Sequence, residues 1–582
     1  MEENMILSFV PDAVDYKGDP ADRTKTGGWV SASLIVGIEA CERLATIAIA
    51  TNLVTYLVGT MHLPSATASN ALSFFGGASY LLCLVGGIIN DSFLGHYWSI
   101  TICSVINALG TGLLAIVTTL PQLHPSPCNP ALPNTCKEAN NFQMGVFYAA
   151  LYMNAIGIGG VKSSVSPFGA SQFDIKNRRE KQQKEDFFDR FFLIINIGSL
   201  LAVTVLAYVL DHIGKQWGYG CCSAAMLGAF FLFASGTKRY RYREQEGNPI
   251  LQILQVLLAA TQKCNIKFPS SERFLYENAP GGLRIPTTNR LRFLDKAAII
   301  TEKDGGMEEI MISPNPWRLS TVTKVEEVKK LSGLMPIWAT TIMFWTVYAQ
   351  IYSFSMQQAV TMDRSLGKNF QTPVGSFAIF LILSGILSLA IYDKLIRLLF
   401  WKSKKPQGLT NLQKIGIGLF FSILGMVTAS LVEARRLLVV RATGGMGESL
   451  PISAFWLLPQ FIFIGIAEAF TYSGQLDFFV TESPKGMKAI GSGLFLTTSA
   501  MGMFGSIILV EVVKTFTGRV GSQIWLAPRI NDGRLDYFYG LVGLLSFVNM
   551  CMFLVCTKNY RVNAREGKQI VDDNHYSSEE SA

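Results

Sequence analysis

The chain has 582 residues, of which 49% are hydrophobic and 16% charged. Soluble globular proteins carry about 25% charged residues, so a water-soluble enzyme is excluded. The formal net charge of +8 would suit nucleic acid, but the basic residues flank apolar runs, which marks them as topology signals. A helix needs about 20 mostly apolar residues to cross the hydrocarbon of a bilayer. Stretches free of Asp, Glu, Lys and Arg occupy 44–90, 97–121, 141–161, 191–210 and 217–237. They resume at 331–362, 369–392, 415–432, 450–467, 489–510 and 537–557. These predict spans near 29–59, 66–90, 97–120, 141–165, 188–210 and 217–236, then 333–358, 372–395, 411–433, 453–476, 487–511 and 536–557.

Between the two sets lies a polar segment, 237–330, with amphipathic stretches at Leu251 to Ala260 and Val322 to Leu331. It is expected to lie on the membrane surface or to bracket the bundles. The short apolar stretch Met5 to Val10 is not a cleavable signal peptide. Lys and Arg collect in the termini, the even-numbered loops and the central segment. The odd-numbered loops hold few, with Arg435, Arg436 and Arg441 after span nine among them. The positive-inside rule therefore puts both termini and the central segment in the cytosol. Cys128 and Cys136, in the loop after span three, can pair as a disulfide if that loop faces an oxidising space. All five histidines fall outside the span interiors, so an intramembrane metal or haem site has no histidine to use. No cofactor is implied.

The expected architecture is an all-α membrane protein of twelve transmembrane helices in two six-helix bundles with a cytosolic central linker. Its parts are the N-terminus 1–28, a first bundle 29–236, the linker 237–330, a second bundle 331–557 and the tail 558–582. Six plus six helices is the layout of the major facilitator superfamily, whose halves rock about a central site. The segment Gly87-Ile-Ile-Asn-Asp91-Ser-Phe-Leu-Gly95, after span two, resembles that superfamily's gating-loop signature.

Ionisable groups inside a span are expensive and usually face a water-filled path or a partner. Glu39, Glu42 and Arg43 are spaced to share one face of span one. Two carboxylates and one base in a low-dielectric site can load and release a proton, although a structural ion pair has the same composition. Lys162 follows Gly157-Ile-Gly-Gly160-Val, whose small residues let helices approach closely. It could pair with Glu39 or Glu42, hold an anion, or snorkel to the surface. Glu468 interrupts an apolar run in span ten, beside Tyr472, as a gate, an amine ligand or a buried acid bonded to hydroxyls. Span seven presents Trp345, Tyr348, Gln350 and Tyr352, a face that serves a pocket or plain packing.

Glu39-Ala-Cys-Glu42-Arg43 resembles the ExxER motif of the proton-coupled oligopeptide transporters. Further matches are Gly160-Val-Lys162-Ser-Ser-Val-Ser-Pro-Phe-Gly169, Phe191-Phe-Leu-Ile-Ile-Asn196, Leu294-Asp-Lys-Ala-Ala298 and Gly474-Gln-Leu-Asp477. With Ala21-Asp-Arg-Thr-Lys-Thr-Gly-Gly-Trp29, they make the chain similar to the plant nitrate transporter 1/peptide transporter family, nearest the dual-affinity nitrate subgroup. The resemblance implies symport of protons with nitrate or another small anion, coupled through Glu39, Glu42, Arg43 and Lys162. It also implies a substrate site that includes Tyr348, Tyr352, Glu468 and Tyr472, and a regulatory phosphorylation position at Ser99. The family's best-understood nitrate carrier has a histidine where this chain has Tyr348. A tyrosine donates one neutral hydrogen bond and brings no positive charge, which favours chloride or low-affinity nitrate. Peptides, plant hormones, glucosinolates and a transporter-like sensor are the alternatives. The partners expected are protons, a small anion and the lipid bilayer, without nucleic acid, and with a homodimer or a regulatory kinase left open. The plasma membrane is favoured over the vacuolar membrane.

Overall fold

The computed structural model describes residues 9–126, 137–174, 177–242, 249–266, 268, 275–277, 288, 290–301, 315–367, 370–399, 409–443, 450–484, 488–519 and 524–579. Cys128 and Cys136 lie outside the described residues. The first six long helices are α1 (Gly28–Gly59), α2 (Ser65–Ile89), α3 (Gly95–Thr119), α4 (Asn141–Ser171), α5 (Arg178–Leu201) and α6 (Lys215–Ser235). The linker contributes α7 (Pro249–Gln262) and α8 (Val322–Ser332). The second set is α9 (Met335–Thr361), α10 (Ala378–Leu399), α11 (Asn411–Ala442), α12 (Leu458–Glu482), α13 (Lys488–Arg519) and α14 (Leu535–Glu579). Within the first set α4 packs on α2 and α3, and α1 packs on α4, α5 and α6. In the second, α11 packs on α12 and α14, and α13 on α9 and α12. The sets meet mainly along α2 and α13.

Among the described residues, ten helical spans are long and apolar enough to cross a membrane. The long helices α1 and α9 are absent from that set because they carry too much polarity. On α1 the interruption is Glu39, Glu42 and Arg43. On α9 it is a series of buried hydroxyls and amides, Thr340, Thr341, Thr346, Gln350, Ser353, Ser355, Gln357 and Gln358. Each is the first long helix of its set.

Local sequence sets several boundaries. Asn140 with Gln143, and Thr410 with Gln413, form reciprocal capping boxes that open α4 and α11. The segment after span two, expected as a gating loop, is helical for most of its length. It continues as helix through a π-helical stretch, Asn90–Leu94, and the chain turns only at Gly95, whose φ is +72°. Asn90 there donates to Ser163 Oγ, 2.9 Å away, and to Ser164 Oγ on α4.

Arg435, Arg436 and Arg441 are not in a loop, because α11 runs to Ala442. Arg436 is fully buried and bonds both carboxylate oxygens of Glu433, at 2.7 and 2.8 Å, one turn earlier on the same helix. Neutralised in this way, the pair lets the helix continue past the point where a lone charge would end a span. The same guanidinium donates to Thr361 of α9 and to Asn531 and Ile530 in the loop before α14. Glu433 also accepts from Gln358 of α9, at 2.6 Å.

The glycines before Lys162 act through close packing. A Cβ on Gly157 would stand 2.6 Å from Asn107 Cβ and 2.8 Å from Asn107 Cα on α3. Backbone cannot yield as a side chain can, so Gly157→Ala is expected to cost about 1–3 kcal/mol. The check is a lower melting temperature of the purified protein than that of Gly37→Ala, where a Cβ meets open space.

Candidate functional site

Lys162, on α4, points across to α1, and its Nζ lies 3.2 Å from Glu42 Oε2. Glu42 is wholly buried, and its other oxygen accepts from Thr46 Oγ1 at 2.6 Å. Of the two sequence alternatives, the lysine therefore meets Glu42. Glu39, one turn earlier, is 5% exposed, and its Oε2 is buried without a hydrogen-bond partner among the described residues. Arg43 donates from Nε to Ser199 Oγ, 3.3 Å away, and stays within electrostatic range of Glu39 and Glu42. Of the three charges of α1, Glu42 and Arg43 thus reach different partners, and Glu39 forms no direct pair among the described residues.

The second set faces this cluster with α9 and α12. Tyr348 and Tyr352, one turn apart on α9, stack with ring centroids 5.9 Å apart and planes 15° apart. The Tyr352 hydroxyl is buried without a hydrogen-bond partner among the described residues. Tyr472 is 37% exposed and stands edge-on to Phe495 at 4.7 Å. Glu468 forms no ion pair among the described residues, yet it lies within electrostatic range of Arg43, Tyr348 and Tyr352. Gln350 does not join the cluster, and Trp345 touches it only edge-on against Tyr348, at 5.7 Å. Trp345 donates to Gln475 on α12 and Gln350 to Ser506 on α13, so they hold helices together.

Sequence reasoning missed Tyr80. It comes from α2 and lies within electrostatic range of Arg43, Lys162, Tyr348 and Tyr472. A single tyrosine in an apolar run carries no signal of its own, and only the fold brings it here. Ser99 is 2% exposed, and its Oγ donates to Gly160 O across the α3–α4 contact. In this arrangement the hydroxyl is closed off from solvent.

The assembled groups are three carboxyls, two fixed cations and four phenols, drawn from α1, α2, α4, α9 and α12. The family model described as the POT family matches residues 97–526, which is most of the chain. The chain belongs to the POT family. Protein NRT1/PTR FAMILY 6.2 of Arabidopsis thaliana is 51% identical, with 94% of each chain covered. Protein NRT1/PTR FAMILY 6.3 of the same plant is 46% identical, again with 94% of each covered. Among solved structures, an auto-inhibited POT family peptide transporter superposes with a TM-score of 0.65 at 20% identity, covering 91% of this chain and 96% of its own. That likeness confirms the twelve-helix major facilitator fold. This POT family member is a multi-pass membrane transporter and not an enzyme.

Proposed function

We propose that this chain is a proton-coupled symporter of nitrate or a similar small anion, chloride included, that works by alternating access. The observation that carries the reading is the division of labour on α1. Glu42 is tied to Lys162, while Glu39 beside it forms no ion pair among the described residues and keeps Lys162 and Arg43 only at longer electrostatic range. A buried carboxyl that is not tied into a direct ion pair is the group best suited to take up and surrender a proton. A proton passed from Glu39 to Glu42 would dissolve the Glu42–Lys162 pair and free the ammonium for an anion.

Charge counting supports the same cycle. With Glu39, Glu42 and Glu468 ionised against Arg43 and Lys162, the cluster carries one net negative charge. Two protons turn that into one net positive charge, matched to a monovalent anion. Uptake against an inside-negative potential costs about 2.3 kcal/mol per anionic charge per 100 mV. One proton makes the passage electroneutral, and a second makes it downhill in voltage. Tyr348, Tyr352, Tyr472 and Tyr80 would supply neutral hydrogen bonds to the anion.

The second reading is a di- or tripeptide or an organic acid, and Glu468, which forms no ion pair among the described residues, favours it. A peptide needs an acceptor for its amine and a cation for its carboxylate, which Glu468 and Arg43 would provide from opposite sets. Uptake in oocytes of nitrate, chloride, dipeptide and plant hormones, at acidic and neutral external pH, separates these readings. We expect acid-stimulated anion uptake and a rise in nitrate transport in Tyr348→His. Strong dipeptide currents in the unaltered protein would overturn the anion assignment.

We place the termini and linker in the cytosol and favour the plasma membrane over the vacuolar membrane. We also assign Ser99 as the position where a kinase would act. A phosphate there adds about two negative charges and has no room while Ser99 bonds Gly160. Modification would therefore require the α3–α4 contact to open, and would hold it open.

A further inference from the structure

On the side of the molecule, away from the charged cluster, lies a cavity of about 240 Å³ between α2, α4 and α13. Its lining includes Thr67, Asn70 and Phe74 of α2, Tyr148 and Tyr152 of α4, and Ile507 of α13. Phe74 is 44% exposed, and Tyr152 is exposed as well, so the slot opens laterally on the lipid-facing surface. Its volume is below the roughly 300–1,000 Å³ of an enclosed small-molecule pocket. That suits a slot which covers one face of a ligand and leaves the other in the bilayer.

Three features specify the occupant. The rings of Tyr148 and Tyr152 lie 6.1 Å apart and within 20° of parallel, and Phe74 stands edge-on to Tyr152 at 5.9 Å. They offer rigid aromatic surface to a rigid apolar body, which loses little conformational freedom on docking. At one end, Asn70 Nδ2 donates to Glu511 Oε1 at 2.7 Å, while Asn70 Oδ1 is buried with no hydrogen-bond partner among the described residues. One orphaned acceptor calls for one donor, and the Glu511 carboxylate beside it repels a phosphate or a fatty-acid headgroup. Asn70 is the sixth residue of α2, about 8 Å in from the helix start at 1.5 Å per residue. Phe74 follows one turn deeper, so the polar end of the slot faces the membrane interface and the aromatic end faces the hydrocarbon.

We propose that this slot binds a membrane sterol, with its hydroxyl donating to Asn70 Oδ1 and its ring system against Phe74, Tyr148 and Tyr152. Two walls belong to the first helical set and the third to the second, so the sterol bridges the seam along which the sets move. A ligand that fits one packing of α2 on α13 shifts the population toward it. The sterol therefore stabilises the arrangement described here over one in which α2 and α13 have separated.

The test uses the full-length protein in phosphatidylcholine vesicles carrying a photoactivatable alkynyl sterol. We expect saturable labelling that unlabelled sterol competes away, mapped to peptides of α2, α4 or α13, and a higher melting temperature with sterol present. Asn70→Leu is expected to label about tenfold more weakly, as for loss of one hydrogen bond from a buried acceptor. Ile507→Trp, which fills the slot without touching the Asn70–Glu511 contact, is expected to abolish labelling and the sterol-dependent rise. It keeps the test decisive if Asn70→Leu does not fold. Equal labelling of these peptides by a photoactivatable phosphatidylcholine, uncompeted by sterol, would identify an ordinary acyl-chain groove and overturn the proposal. Unchanged sterol labelling in Ile507→Trp would overturn it too.

Discussion

Arg436→Met is expected to destabilise the protein by about 3–5 kcal/mol, the usual cost of leaving one member of a buried ion pair alone. Glu433 and Arg436 are both wholly inaccessible to solvent, so Glu433 could not recruit water to replace the lost guanidinium. The loss would spread, because Arg436 also anchors Thr361, Asn531 and Ile530. Pro528, in the same loop, accepts from the Ser65 amide at the start of α2. A weakened loop would thus loosen a contact between the two helical sets. The measurement is the melting temperature of purified protein, with the double variant Glu433→Gln/Arg436→Met as the control. Removing both charges takes away the buried unpaired carboxylate, so the double variant is expected to be more stable than Arg436→Met alone. A double variant no better than the single one would show that hydrogen bonds to the loop, and not charge pairing, hold this region.

Glu42→Gln is the substitution with the largest expected effect on transport. It leaves Lys162 without its partner whatever the pH, so the switch is fixed in its released position. Anion uptake is then expected to lose its stimulation by external acid, at least about tenfold, equivalent to one pKa unit of coupling or ~1.4 kcal/mol. Proton currents evoked by substrate should vanish with it. Exchange of labelled for unlabelled anion across the membrane, which needs no net proton movement, should persist. If Glu42→Gln retained pH-driven uptake and undiminished proton currents, the coupling assigned to α1 would be wrong. Glu39→Gln makes a useful companion, because Glu39 holds no ion pair among the described residues and its loss leaves Glu42–Lys162 standing.

The sequence was most informative where charge was scarce. Eleven runs that lack Asp, Glu, Lys and Arg, the first long enough for the end of one span and all of the next, gave twelve spans, and the charges interrupting them named most of the central cluster. Glycines before Lys162 likewise predicted a close helix contact, which Gly157 makes against Asn107. What escaped were partnerships across the fold. Arg436 reads as the end of a span until Glu433, three residues back, is seen to cancel it. Arg43 reads as a partner for its neighbouring carboxylates, yet it reaches Ser199 on α5. Asn70 and Glu511 are separated by 441 positions and have no local pattern to announce them. Spacing along one helix reports which residues share a face, but the neighbour that face meets is set by tertiary packing.

The polarity of α1 and α9 has a consequence for how the protein is made. Each emerges from the ribosome ahead of the other long helices of its own set, and each is a poor candidate for the bilayer by itself. A charged side chain at a helix centre costs a translocon-inserted segment about 2.5–3.5 kcal/mol, and α1 carries three charges. The groups that settle these costs arrive later: Lys162 is 120 residues behind Glu42, and Ser506 is 156 behind Gln350. Each half must therefore keep its opening helix in a sheltered, uncommitted state until its partners are synthesised. Glu42 and Lys162, to which we assign the proton coupling, are thus also among the residues that make biogenesis depend on waiting.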